Sequence, residues 1–402
     1  MDKTIKSFQP NPTFAFIYVI LPKKRMKSLY CPSLIGLVLI SILACNNNSV
    51  ADPKIATKIG SLSAKTDSSK IIHFSDEKHL ANVRQLSFGG DNAEAYFSFD
   101  DKQLIFQLTD PAQGIPCDQI YKSHIPLTAD ELLKIKRISN GKGRTTCSFF
   151  YPGNNHVIFA STHLSSESCP PVPDRIKIKK YVWPIYDSYE IFLSDTSGNI
   201  VKQFTKNNFY DAEATVSPDG KKVVFTSNRS GDLELYTMNI DGSEVKQVTS
   251  TIGYDGGAFF SPDSRRLVFR ASRPTTSEEI NEYKDLMAQG LVAPTDMEIY
   301  TCAIDGTDMK QITKLGKANW APYYHPSGKK IIFSSNHETA RGFPFNLYMI
   351  NTDGTGLERI THDKTFDAFP MFSYDGRHIV FSSNRNNGGT NSTNLFIADW
   401  VD

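Results

Sequence analysis

Asp211-Ala-Glu-Ala-Thr-Val-Ser-Pro-Asp-Gly-Lys-Lys-Val-Val-Phe-Thr-Ser-Asn-Arg229, continued by Leu235-Tyr-Thr-Met-Asn-Ile-Asp-Gly242 and Val245-Lys-Gln-Val-Thr249, decides the fold. It parses into four short runs rich in Val, Phe, Tyr and Thr. Between them stand Ser-Pro-Asp-Gly and Asp-Gly, clusters that make tight turns between antiparallel strands. The same pattern recurs along the chain. Its inner strand begins at Asn92, Thr145, Asp211, Asp255, Asn319 and Asp367, with spacings of 53, 66, 44, 64 and 48 residues. The turn after each inner strand reads Ser98-Phe-Asp-Asp101, Tyr151-Pro-Gly-Asn154, Ser217-Pro-Asp-Gly220, Ser261-Pro-Asp-Ser264, His325-Pro-Ser-Gly328 and Ser373-Tyr-Asp-Gly376.

A four-stranded unit of roughly 40–45 residues is a propeller blade. Six copies predict an all-β, six-bladed propeller of four-stranded antiparallel blades. With about 44 as the bare unit, the spacings of 53, 66 and 64 place insertions in the first, second and fourth blades. The sixth copy ends on its third strand, Asn394-Leu-Phe-Ile-Ala-Asp-Trp400, while an orphan segment, His79 to Ser87, precedes the first copy and reads like the outer strands. The orphan is expected to complete the last blade, which leaves no free edge at that position of the ring. The chain thus divides into 1–45, a signal segment; 46–70, a polar linker; and 71–402, the propeller.

These repeats resemble those of the TolB-like propellers, a type shared with prolyl oligopeptidase-like enzymes. The resemblance covers about residue 75 to 402 and is clearest in blades three to six. It implies a periplasmic or surface protein that binds other macromolecules. It leaves function open, because propellers host many roles.

Composition narrows the partners. Lys plus Arg number 44 against 43 Asp plus Glu, so no global field draws the chain to nucleic acid or to an anionic membrane. The strongly apolar run is Ser33 to Ala44, behind Lys23, Lys24, Arg25 and Lys27. It is too short to span a bilayer and suits an export signal. It ends Ile42-Leu-Ala-Cys45, which resembles a bacterial lipobox with Cys45 as the lipidated residue; ordinary cleavage nearby is the alternative. Translation from Met26 would give a signal of ordinary length. The expected location is therefore periplasmic or at the outer membrane, with a lipid as the only membrane attachment. Four cysteines remain in the mature chain, Cys117, Cys147, Cys169 and Cys302, and their spacing permits a disulfide without specifying one.

Catalytic motifs are absent from the sequence. It holds no Gly-x-Ser-x-Gly, no phosphate-binding Gly-rich loop and no Cys-x-x-Cys, so no cofactor is expected. The start of each inner strand should meet the end of the second strand, eighteen residues on. That offset pairs Asp211 with Arg229, Asp255 with Arg273 and Asp367 with Arg385, a recurring structural ion pair. In two other blades it pairs Thr145 with His163 and Asn319 with His337. With Glu94, Arg144, Glu213 and Trp320, these histidines are expected at the channel mouth as a ligand or metal site, the metal being undetermined. The second-blade insert, Ser165 to Tyr186, carries Trp183 and a Pro-rich stretch, either a recognition loop or one packed on its own ring. The fourth-blade insert reads as a helix. Thr276 and Glu279 form a capping box, and an apolar stripe of Ile280, Tyr283 and Met287 is expected to dock on the protein itself.

The expected function is non-catalytic binding of an envelope protein or a glycan on the insert-bearing face. The alternative is a metal-dependent lyase or hydrolase acting on polysaccharide at the channel mouth, since seven-bladed relatives of this repeat cleave oligogalacturonates at a histidine-rich metal site. Six blades and the lack of a tight histidine cluster favour binding. Replacement of Cys45 by Ser is expected to move the protein from washed membranes into the soluble fraction; a variant that still sediments with membranes refutes the lipobox.

Overall fold

The first blade begins with Asp91–Phe97, and a computed structural model describes the protein over residues 72–402, apart from 129, 130 and 341. The signal segment, Cys45, Met26 and the linker lie outside the described residues. Six four-stranded antiparallel sheets follow one another along the chain, each meandering from an inner to an outer strand. Among the described residues, no helix is long and apolar enough to cross a membrane.

Each blade is held by the same side chains, which explains why the sequence repeats. A Phe on the second strand lies opposite an aromatic residue on the third: Phe106 with Tyr121, Phe159 with Phe192, Phe225 with Tyr236, Phe269 with Tyr300, Phe333 with Tyr348 and Phe381 with Phe396. Ring centroids in these pairs are 5.7–6.5 Å apart, and the six Phe residues are almost wholly buried. Cross-strand aromatic pairs of this kind stabilise a sheet beyond the area they bury. In the Ser-Pro-Asp-Gly turn, Ser217 Oγ donates to Asp219 and accepts from Lys222 N at 2.9 Å. Ser98, Ser261 and Ser373 do the same in their turns. In blades two to five a Thr after the outer strand accepts from a third-strand N–H, as Thr249 Oγ1 does from Leu235 N at 2.9 Å, and Ser139 does so in blade one.

Ring closure follows the expected route. Leu80–Gln85 pairs antiparallel with Asn394–Trp400 and becomes the outer strand of the sixth blade. Ser87 Oγ accepts from Leu395 N at 2.8 Å, so a residue from the start of the chain takes the place that Thr249 holds in blade three. Upstream, the buried Glu77 carboxylate joins the Asp367–Arg385 pair and receives both arms of the guanidinium at 2.9 and 3.1 Å.

One irregularity recurs in all six blades. The register of the inner strand slips after the residue that follows each repeat's first anchor, and the residue at the slip has left-handed φ: Glu94, Cys147, Glu213, Gly257, Ala321 and Phe369, at +48° to +58°. This is a β-bulge, and bulges re-aim the side chain they carry. Here all six positions line the central channel.

Glu77→Ala leaves a buried guanidinium short of a partner and is expected to cost about 3 kcal/mol, with Ser87→Ala costing about 1 kcal/mol. Urea unfolding measures both. Equal small losses would mean that the amino-terminal segment does not hold the ring closed.

Candidate functional site

The channel is built in layers. Below the bulge ring, Tyr96, Phe149, Phe259 and Tyr323 plug it, with Tyr96–Phe259 and Phe259–Tyr323 centroids 5.4 and 5.1 Å apart. Above the plug is a cavity of about 30 Å³, enough for one or two waters, whose lining includes the six bulge residues, Tyr96 and Phe259 of the plug, and Arg270.

Arg270 does not belong to an inner strand. It lies on the second strand of blade four and reaches the channel across Gly257, where a Cβ would collide with the guanidinium. Glycine at this one bulge position is therefore what admits the cation. Its Nη2 donates to Glu213 and to Tyr254 Oη, the latter at 2.6 Å. Glu213 also accepts from Tyr254 Oη at 2.9 Å, Thr226 Oγ1 at 2.7 Å and Gly257 N at 2.9 Å. Burial works against its charge, but Arg270 and these donors outweigh it and hold the carboxyl below its ordinary value. Glu94 has the opposite environment. Burial pushes it up to about 7, against the lowering effect of the hydrogen-bonding Cys147 thiol and with the help of the Glu213 charge. Cys147 is raised well above the usual thiol value, first by burial and then by the Glu94 charge, so it is not a ready nucleophile.

The two long inserts roof the channel. Trp183–Pro184 from blade two pairs with Leu291–Val292 from blade four, and Ile185 N donates to Gly290 O at 2.7 Å. Val182, Leu286 and Leu291 form a small core inside this lid. A disulfide from Cys117 to Cys169 ties it to blade one, an ion pair joins Lys180 to Glu282, and Tyr283 Oη donates to Asp232. The fourth-blade insert is a helix, Ser277–Met287, with the expected capping box: Glu279 N donates to Thr276 Oγ1 at 3.2 Å and Thr276 N to Glu279 Oε2 at 3.0 Å. Its stripe docks on the protein, with Leu286 as the buried residue and Tyr283 and Met287 packed on the core beneath. Trp183 lies 5.2 Å from the Arg270 guanidinium, over the channel.

Several residues expected at the mouth lie elsewhere. His163 and His337 do not line the cavity. Their Nδ1 atoms sit 2.8 and 2.9 Å from Ser161 and Ser335 Oγ, and their rings lie 4.5 Å from Phe192 and Tyr348. Arg229 makes the same contacts, with Ser227 Oγ at 2.9 Å and with Tyr236 at 4.9 Å. The histidines thus substitute for the ladder arginines and lie in separate blades. The reason is register, because the position eighteen residues beyond an anchor lies over the aromatic pair of the same blade. Arg144 pairs with Asp118 at 2.8 Å. Asn319 is buried and donates to Met297 O and Gly316 O as a staple between blades. Trp320 is buried beneath the lid, 5.2 Å from Trp183 and stacked on Phe345, with Nε1 donating to Pro294 O at 2.8 Å. The expected ion pairs Asp211–Arg229, Asp255–Arg273 and Asp367–Arg385 all form. Of the expected site residues, Glu94, Glu213 and Trp183 come together at the channel. Arg270, Tyr254 and Cys147 were missed, although Gly257 at a bulge position is the sequence signal that would have found Arg270. Among the described residues, no group of three or more His, Cys, Asp or Glu side chains is placed to hold a metal ion.

Residues 182–291, which run from the lid strand of blade two through blade three to the lid strand of blade four, match the family model of the TolB β-propeller domain. That stretch of the ring carries the TolB β-propeller repeat. Among solved structures, the chain is similar to a putative TolB from Agrobacterium tumefaciens, at 16% identity and TM-score 0.50, covering 80% of this chain and 97% of that one. It is also similar to TolB from Acinetobacter baumannii, at 17% identity and TM-score 0.50, covering 75% of this chain but only 64% of that one. An oligogalacturonate lyase from Vibrio parahaemolyticus overlaps 78% of the chain at 12% identity and TM-score 0.49, a likeness that carries no argument about activity. No curated protein sequence matches. These likenesses establish the TolB-type fold and leave its chemistry to the site.

The split between the two channel carboxyls is measurable. A carboxyl raised in the folded state favours folding fully below its unfolded value near 4.5, and that contribution fades as pH rises through about 7. Between pH 4.5 and 8 the wild-type protein is therefore expected to lose about 3 kcal/mol more stability than Glu94→Gln. Parallel urea titrations of the two proteins give the difference, and identical pH profiles would show that Glu94 titrates normally.

Proposed function

We propose that the protein is a non-catalytic binding protein of the bacterial cell envelope, which holds a protein or glycan partner on the face roofed by the inserts. The observation that carries this reading is the lid itself. Two inserts that need not interact are joined by a strand pair and braced by a disulfide, yet they leave Val172 and Tyr181 at 65% and 43% exposure. Leu164 and Phe343, at 63% and 66%, lie in loops that leave the same ends of their blades. Rigid loops that present apolar side chains are how a scaffold offers a recognition surface.

The channel supports the same conclusion by its size. Sites for small organic ligands run to about 300–1,000 Å³, whereas this cavity holds about 30 Å³, so a sugar ring has no room between the lid and the plug. The disulfide suits an oxidising compartment, in keeping with export behind Ser33 to Ala44. A lipid on Cys45 would then tether the binding face to a membrane.

Crosslinking the native protein in cells, followed by mass spectrometry of captured partners, tests this reading. Val172→Asp with Phe343→Asp is expected to weaken capture about tenfold or more, while changes in the Ser217 to Gly220 turn on the opposite face leave it intact. Capture that survives the lid changes and fails with the turn changes would place the binding surface on the wrong side.

A further inference from the structure

The cavity beneath the lid contains an unbalanced charge whenever Glu94 is ionised. Glu213 uses its oxygens on Arg270, Tyr254, Thr226 and Gly257 N, and Arg270 is committed to it. Glu94 has no such set. Part of its surface faces the channel, yet Oε2 is shut off from solvent and has no hydrogen-bond partner. The Arg270 Nε, on a side chain 8% exposed in the same wall, also lacks a partner.

We propose that this cavity is a site for a single primary-ammonium head, with Glu94 as its counter-ion, supplied by a small free amine or by the lysine side chain of a bound partner. Three observations point to that chemistry. The first is charge, since the pair of Glu213 and Arg270 is closed and Glu94 leaves one negative charge in excess. Second, the volume of about 30 Å³ admits a small head and has no room for a guanidinium or a sugar ring, while the Glu94 charge repels a carboxylate. Third, the remaining wall includes the rings of Tyr96, Phe259 and Phe369, and aromatic rings attract an ammonium cation. A hard divalent cation asks for six or more oxygen ligands, and the free acceptors here do not supply them. The proposal does not depend on which partner the lid binds.

The charged and titratable groups around Glu94 are Cys147 of blade two, Glu213 of blade three, Arg270 of blade four, Asp118 of blade one and Tyr96 below it. The site should therefore fill when Glu94 is ionised and empty as it takes up a proton. Methylammonium chloride titrated into the full chain at pH 8, read by saturation transfer to its methyl signal, is the direct probe. Saturable binding is expected, with no competition from tetramethylammonium, which is too large. Glu94→Gln should weaken binding at least tenfold, and so should lowering the pH of the wild-type protein from 8 to 5.5. A lysine capped at its α-amine and carboxyl displaces methylammonium if a partner's side chain is the natural ligand, and fails to if a free amine is. No saturable signal at pH 8, or equal displacement by potassium or calcium, overturns the assignment. Should Glu94→Gln fail to fold, the wild-type pH series decides alone, and affinity unchanged between pH 8 and 5.5 is then the refuting result.

Discussion

A ring of blades is stable only if its last blade is finished by the other end of the chain, and every other feature of this protein presupposes that closure. The third strand of blade six, Asn394–Trp400, would otherwise expose a row of unpaired backbone groups. Leu80–Gln85 covers it, and two polar contacts set its position along the chain. Ser87 repeats the bond that a Thr or Ser makes in the other blades, and Glu77 enters a buried charge cluster with Arg385 and Asp367. A buried cluster of this kind adds little net stability over apolar packing, but it penalises any register in which one partner is missing. The amino-terminal segment therefore selects one closure among the many that a repetitive sheet would tolerate.

Within the closed ring, repetition fixes the backbone and frees the side chains. All six inner strands bulge at the same place with the same left-handed φ, although five of the six residues there are not glycine. Left-handed backbone costs a residue with a Cβ of the order of 1 kcal/mol or more, and it persists only where the surroundings over-determine it. The surroundings are the aromatic pairs and strand ladders of each blade. Because they carry the backbone, the bulge side chains need not resemble one another: Glu, Cys, Glu, Gly, Ala and Phe. Whatever chemistry the channel has is written at these six positions and at Arg270, which the glycine admits.

Much of the fold was legible because its determinants are local and recurrent. Turn residues, the Phe of the second strand and the Thr of the outer strand each act within one blade, so spacing reveals them. The ladder pairs were legible for the same reason, since eighteen residues separate two neighbouring strand ends. The site was only partly legible. Glu94 and Glu213 were found because they lie on inner strands. His163 and His337 were misplaced because an offset reports adjacency and not direction, and the bulge turns the channel-facing role to the position two residues after each anchor. Cys147 and Arg270 were missed because their importance comes from blades meeting around an axis, a relation between residues that no spacing within one repeat contains. The disulfide was open in the sequence for a similar reason: Cys117 and Cys169 belong to different blades and meet only because the second-blade insert folds back over the ring.

The lid links these levels. Blade-two and blade-four inserts emerge on opposite flanks of blade three, and neither is long enough to form a stable element alone. Paired, they share a small core of Val182, Leu286 and Leu291 and seat Trp183 over Arg270. That contact ties the outer surface to the channel: the guanidinium that neutralises Glu213 is also the platform on which the lid rests. A partner that shifts the lid must therefore alter the packing around Arg270, and a change in the charge of Glu94, whose titration feels both Glu213 and Arg270, acts on the same group from below. Lid and channel meet at this side chain, which is why the glycine that makes room for it matters more than its lack of chemistry suggests.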